Sequence, residues 1–280
     1  MIGAKMSQFL RAVLAAVLTS VIVVSSLMGL PRFLETEVKA VQKKQAKEAT
    51  IELVSSSPSL LVAPSPFSAA LPCPGHAAIR ARYEAEIRIG GNVEKHMPVL
   101  FALASGFANI TELGVHSVHS SWAFARAASD GAAQGERITY RALDIARDNR
   151  VDELEAAMRQ CPGVTFSFTE ADDLLVDVWE SNFLFIDTWH TYKQLTRELQ
   201  RWPQAVSHYI ALHDTVLFAN HDENEAQASR RKETLFDGLP VRQGLKVAVQ
   251  EFLESSEGLK WRVFEHYANQ NGVMVLQRNK

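Results

Sequence analysis

Residues 79–280 predict an α/β domain with a doubly wound, seven-stranded, mostly parallel sheet that ends in an antiparallel hairpin. Three observations carry this expectation. Strand-like runs alternate with helix-like runs, and such alternation joins parallel strands through helical crossovers on both faces. The run Phe183-Leu-Phe-Ile-Asp187 is apolar until its last residue, as a central strand buried on both faces would be. Asn271-Gly272 separates the two last strand-like runs, and this dipeptide favours a tight hairpin turn.

The elements follow in order. Residues 93–107 predict an apolar helix, with Pro98 near its first turns where a missing N–H is tolerated. Asn109–Val115 is a short strand-like run that closes on Glu112 and Gly114. Residues 119–128 are helix-like, and residues 138–144 form a β-rich run ending in Asp144. Residues 150–160 repeat apolar positions at helical spacing, and residues 164–168 alternate like a strand. Residues 172–180 suggest a short helix before the central strand 183–187. An amphipathic helix over 191–201 is closed by Pro203, and a strand over 208–214 ends in His213-Asp214. The long charged segment 216–240 reads either as a wall or lid over the strand ends, with Arg230, Arg231 and Lys232 available to an anionic acceptor, or as a disordered surface insertion with a solvated basic triplet. A helix over 242–255 and strands over 259–266 and 273–278 complete the domain.

Composition separates this domain from what precedes it. The chain of 280 residues is 47% hydrophobic and 22% charged, with a net charge of -3. Those values exclude collagen-like, largely disordered and disulfide-framework classes. The near-neutral balance argues against a dedicated nucleic-acid binder. Residues 1–78 hold 7 Lys+Arg and 4 Asp+Glu, whereas residues 79–280 hold 22 and 28. Ala12 to Leu30 is a run of 19 uncharged residues behind Lys5 and Arg11. As a helix it nearly matches a hydrocarbon core of about 30 Å. Residues 1–31 therefore predict a signal anchor and a single-pass membrane protein, with the following domain on the extracytoplasmic or luminal side. A cleaved signal peptide, and hence a secreted protein, is the alternative. Residues 32–78 read as a stem, charged at first and then rich in Ser and Pro. Two cysteines, Cys73 and Cys161, allow at most one bridge and cannot form a four-Cys zinc site.

In an open α/β sheet, ligands bind beyond the carboxyl ends of the strands, where the strand order reverses. Polar residues collect there: Glu112, Gly114, His116, Ser117 and His119 after the first strand, then Asp144, then Glu170 and Asp172, then Asp187 and His190, then His213 and Asp214. Gly114 permits a tight backbone turn against a ligand. Asp144 is placed to accept ribose hydroxyls, with a helix cap as its bland alternative. Asp172 divides evenly between ligand contact and cap. Asp187 emerges from an apolar strand, and a carboxylate leaving a dry sheet needs a cation, a metal or a donor. His190 is a candidate general base as a neutral imidazole.

The motifs Glu112-Leu-Gly-Val115, Ser121-Trp-Ala-Phe124, Phe185-Ile-Asp-Thr-Trp-His-Thr-Tyr192, His213-Asp-Thr215 and Asn271-Gly272 occur in this order. Through them residues 92–278 resemble the class I S-adenosylmethionine-dependent methyltransferases. The likeness is greatest to the sugar and macrolide O-methyltransferase and cephalosporin-hydroxylase-like subgroup. The resemblance implies a Rossmann-like fold and S-adenosylmethionine as cofactor, held by Glu112, Gly114, Ser117, Asp144 and Asp172. It implies methyl transfer to a small-molecule or glycan hydroxyl, with Asp187, His190 and Asp214 as catalytic residues. In metal-dependent relatives the acids matching Asp187 and Asp214 bind a divalent ion such as Mg²⁺. Here Thr215 stands where a further acid or amide is usual, and His190 and His213 would suit a transition metal. Ser117 and Val118 also replace glycines usual in the cofactor loop. Two other readings remain open: a non-catalytic interaction protein on this fold, and a metal-dependent hydroxylase or hydrolase.

Overall fold

The computed structural model describes residues 73–223 and 233–280. The proposed anchor at 12–30, most of the stem and the basic triplet at 230–232 lie outside the described residues. Among the described residues, no helix is long and apolar enough to cross a membrane.

The helices are α1 His76–Ile89, α2 Met97–Ala104, α3 Ser121–Ala133, α4 Val151–Met158, α5 Tyr192–Arg201 and α6 Leu245–Glu254. The strands are β1 Asn109–Leu113, β2 Ile138–Asp144, β3 Val164–Glu170, β4 Ser181–Ile186, β5 Val206–His213, β6 Trp261–Tyr267 and β7 Val273–Arg278. They form one sheet in the order β3-β2-β1-β4-β5-β7-β6. The pairs among β1 to β5 are parallel, and β7 runs antiparallel between β5 and β6. This is the Rossmann-like, doubly wound architecture that the sequence predicts. The order reverses between β1 and β4, which opens a crevice beyond their carboxyl ends.

Period-two alternation divides the core. Phe183 and Phe185 of β4 join the cluster containing buried residues of α1 to α4, while Leu184 and Ile186 join the one containing those of α5 and α6. The continuous apolar run of β4 is thus two half-faces of a sheet covered on both sides.

Three sequence expectations differ from the structure. Helix α1 begins at His76, inside the segment read as stem, and has no counterpart among the expected elements. Its buried residues are Ile79, Tyr83 and Glu86, a sparse stripe among charged residues that weakens the helical signal. The helix expected over 93–107 is a 3₁₀ turn at Val93–Lys95 followed by α2. Residues 172–180 do not form a helix. Asp172 closes a single turn, accepting the Leu174 N–H on Oδ1 and the Leu175 N–H on its carbonyl, both at 2.9 Å. Val176 and Val178 then pack against the core at period two, and Trp179 Nε1 donates to Thr111 Oγ1 at 2.9 Å. An extended segment led by an Asp turn carries the same apolar residues as a short helix.

A disulfide joins Cys73 to Cys161, 88 residues apart, and ties the chain before α1 to the turn after α4. Chain entropy alone makes a loop of this length worth about 4 kcal/mol to the folded state. Cys73→Ser is therefore expected to melt well below the wild type, and reduction should lower the wild-type midpoint while leaving the variant's unchanged. Equal midpoints for both proteins under oxidising conditions would remove the bridge from the account.

Candidate active site

The crevice is a cleft of about 840 Å³ lined by residues that include Gly114, His116, Ser117, Asp144, Asp187, His190, His213, Asp214 and Glu223. Its geometry begins with Gly114. This residue sits at φ 84°, a region that favours glycine, and its N–H donates to Leu143 O at 2.9 Å. A Cβ on Gly114 would stand 1.9 Å from the backbone oxygen of Asp187. The ends of β1 and β4 therefore approach in a way that only glycine allows.

Asp144, at the end of β2, turns back over this loop. Its Oδ2 accepts the N–H groups of Val115 at 2.7 Å and His116 at 2.8 Å, and its Oδ1 accepts that of Ala146 at 3.0 Å. The carboxylate holds the loop in place while facing the cleft. With about four lone-pair sites on a carboxylate, these three bonds leave one on Oδ1 for a ligand hydroxyl. Ser117 lines the same wall.

Two expected ligand residues lie elsewhere. Glu112 is completely buried and does not line the cleft. Alternation along β1 turns it toward α3, where Ser120 and Ser121 donate to it at 2.6 and 2.8 Å and Tyr140 at 2.5 Å. It anchors the start of α3 behind the Gly114 loop. Burial pushes its carboxyl up to about 7 against the three hydroxyl bonds that favour the anion. Asp172 is the turn residue described above, and its neighbour Asp173 lines the cleft instead. Asp173 accepts both bonds at 3.2 Å from Gln194 Nε2.

The raised Glu112 carboxyl makes a stability prediction with a defined sign. The native state holds a proton between about pH 4.5 and 7 that the unfolded chain has released, so stability falls as pH rises through that window. The full effect is on the order of 3 kcal/mol. Glu112→Gln should lose this slope, and chemical denaturation of both proteins at pH 5 and pH 8 would read it. Parallel changes in the two proteins would reject the assignment.

The ends of β4 and β5 bring together Asp187, His190, His213 and Asp214. His190 Nε2 lies 3.0 Å from Asp187 Oδ1 and 3.1 Å from Asp214 Oδ2, while His213 Nδ1 lies 3.2 Å from Asp187 Oδ1. Burial opposes charge on both rings. For His190, hydrogen bonds to Asp187 and Glu223 and the nearby carboxylate charges outweigh it. For His213, the charge of Asp187 and hydrogen bonds to Asp187 and Asp214 do so. Each ring is raised to about 10. Burial likewise opposes ionisation of Asp187, but the two imidazoles hold it well below the usual carboxylate range. The raised value favours the imidazolium form of His190 at neutral pH, where the sequence suggests a neutral base. Asp214 Oδ1 is buried with only a long contact to His213 Nδ1 at 3.5 Å, and His213 Nε2 is buried with no hydrogen bond among the described residues.

Several participants carry no sequence signal of their own. Glu223 accepts from the His190 backbone N–H at 3.2 Å, and its Oε2 lies 3.0 Å from Nδ1 of the same ring. Asp222 accepts the N–H groups of Tyr192 at 2.8 Å and Gly244 at 2.7 Å, fixing the loop after β5 to the starts of α5 and α6. Phe218 stacks on His190 with centroids 5.0 Å apart. All three belong to the segment 216–240, of which Glu223 lines the cleft. The hairpin turn also reaches the site. Asn271 O accepts the N–H groups of Val216 at 2.8 Å and Leu217 at 3.1 Å, and Gly272 O accepts that of Thr215 at 3.3 Å. These bonds hold the chain just past Asp214, whose φ is 56°. Asn269 Oδ1 lies 3.4 Å from Nε2 of the buried His96, whose ring is edge-on to His213 at 5.8 Å.

The chain matches no protein-family model and no curated protein sequence. Among solved structures it is similar to magnesium protoporphyrin IX methyltransferase from Synechocystis PCC 6803 with bound SAH. The two are 11% identical at a TM-score of 0.42, covering 87% of this chain and 99% of that one. It is also similar to the mitomycin 7-O-methyltransferase MmcR, at 14% identity and a TM-score of 0.40 over 74% of this chain and 69% of that one. The S-adenosylmethionine-dependent methyltransferase SibL is 14% identical at a TM-score of 0.40, over 72% and 70%.

Proposed function

We propose that the domain is an S-adenosylmethionine-dependent methyltransferase acting on a hydroxyl of a small molecule or glycan. The observation that carries the reading is the Gly114 turn, which opens the cleft at the reversal of strand order between Asp144 and the Asp187–His190–His213–Asp214 cluster. The residues fit the cofactor: a loop without side-chain bulk at 114, a serine at 117 and one unused lone pair on Asp144. When bound, the cofactor supplies an electrophilic methyl group.

The chain's own groups then act on the acceptor. Asp214 Oδ1, buried and held only by a long 3.5 Å contact to His213 Nδ1, accepts the hydroxyl proton. The imidazolium of His190 stabilises the negative charge developing on that oxygen. Glu223 and Phe218 hold the ring in place, and most of the acceleration comes from such positioning. The donor set of Asp187, His190, His213 and Asp214, with ligand atoms within 4.8 Å of one another, also suits a divalent transition metal. Those four side chains would hold such an ion in place of the imidazole protons, and it would supply Lewis acidity; the same set supports a metal-dependent hydroxylase or hydrolase as the second reading.

Titration calorimetry of the full chain with S-adenosylhomocysteine tests the first reading. Binding is expected, with affinity reduced about tenfold or more in Asp144→Ala, which loses both the loop clamp and the hydroxyl acceptor. Absence of heat at millimolar ligand sinks it and leaves a non-catalytic interaction protein on this fold. The Cys73–Cys161 bridge and the uncharged run at 12–30 support an oxidising, extracytoplasmic location with the chain anchored in or exported across a membrane.

A further inference from the structure

We infer a second metal site in the wall of the cleft, formed by Glu86, Glu94 and His119, for a borderline divalent cation of the zinc class. The three come from separate segments: α1, the 3₁₀ turn at 93–95 and the loop before α3. Their ligand atoms all lie within 4.8 Å of one another. His119 Nδ1 is 2.5 Å from Glu86 Oε2 and 3.6 Å from Glu94 Oε1, so one ring nitrogen faces two carboxylates. A single proton on that nitrogen serves only one of them, and the shorter contact gives it to Glu86. Glu94 is left with the longer 3.6 Å contact to the same ring, although it is only 5% exposed and lines the cleft. A buried carboxylate in this condition is costly unless a cation completes it.

Two further features shape the site. A Cβ on Gly91 would lie 2.6 Å from Glu94 Oε2, so the glycine makes room for the carboxylate to fold inward. Arg82 Nη2 is 2.9 Å from Glu86 Oε1, which orients that group from outside and leaves Oε2 for an ion. One imidazole with two carboxylates suits zinc, and the nitrogen ligand argues against Mg²⁺ or Ca²⁺. Glu94 and His119 line the cleft whereas Glu86 does not, so the remaining coordination position opens on the cavity. It would take an oxygen of a bound ligand, a carboxylate or a hydroxyl.

The test needs neither activity nor the methyl-donating cofactor. Full-chain protein is stripped with a chelator, reloaded with Zn²⁺, desalted and measured for metal per chain by mass spectrometry. Glu94→Gln and His119→Asn are each expected to lose one equivalent relative to wild type, with unchanged circular dichroism. Asp187→Asn is expected to keep that equivalent, which separates this site from the cluster at the strand ends. Co²⁺ loading should give a visible absorption band that both Glu94→Gln and His119→Asn lose. Wild-type zinc content in both variants, or a wild type holding no zinc that they remove, overturns the proposal. Since no methyl donor is present, either result leaves the methyltransferase reading where it stood.

Discussion

Gly114→Ala is expected to abolish ligand binding and to cost on the order of 3–5 kcal/mol of stability. Two effects add. At φ 84° an alanine adopts a left-handed backbone that costs about 1–2 kcal/mol. Its Cβ would also stand 1.9 Å from a backbone oxygen, which unlike the end of a flexible side chain cannot swing away. The ends of β1 and β4 must separate, and with them the loop clamped by Asp144. Urea denaturation reads the stability and calorimetry with S-adenosylhomocysteine reads the site. A variant of native stability and affinity would mean that the approach of Gly114 to Asp187 is unimportant.

Asp187→Ala has the second largest effect. It removes the carboxylate shared by His190 and His213 and leaves two buried rings with less compensation. Breaking a buried pair in this way costs about 3–5 kcal/mol at neutral pH. The sign with pH is fixed by the raised imidazoles. Their stabilisation is fully present below the unfolded value of 6.5 and is lost as pH rises through about 10. The gap between wild type and variant should therefore be wide at pH 7 and narrow toward pH 10. Thermal melts across that range check it, and a gap that widens with pH would refute the charged-pair description. Methyl transfer should also fall, by at least 100-fold if His190 loses its orientation.

The parallel sheet was legible because its strands announce themselves in two ways. Phe183–Ile186 is apolar on both faces, and Asp144 and Asp187 mark where strands leave the core. Gly114 was legible for a local reason, a turn that must pass close to backbone. The ring of carboxylates was legible only in part. Asp144, Asp187 and Asp214 share the cleft, but Glu112 lies one step inside β1 and alternation turns it to the α3 face. Asp172 and Asp173 are adjacent, and only the turn geometry decides which faces the cavity. The charge state of His190 depends on Glu223, 33 residues away, which no local pattern predicts. The same holds for α1, whose Glu86 meets His119 across 33 residues.

The hairpin turn that braces the chain past Asp214 decides which end of β7 can be altered without disturbing the pocket. Backbone groups of Asn271 and Gly272 secure that corner, and Asn269 steadies His96 near the opposite end of the described chain. Strand β7 carries the chain away from this corner, to where Arg278 donates to the backbone oxygens of Pro203 and Val206, so a label attached beyond Arg278 would sit at the opposite end of the sheet from the pocket.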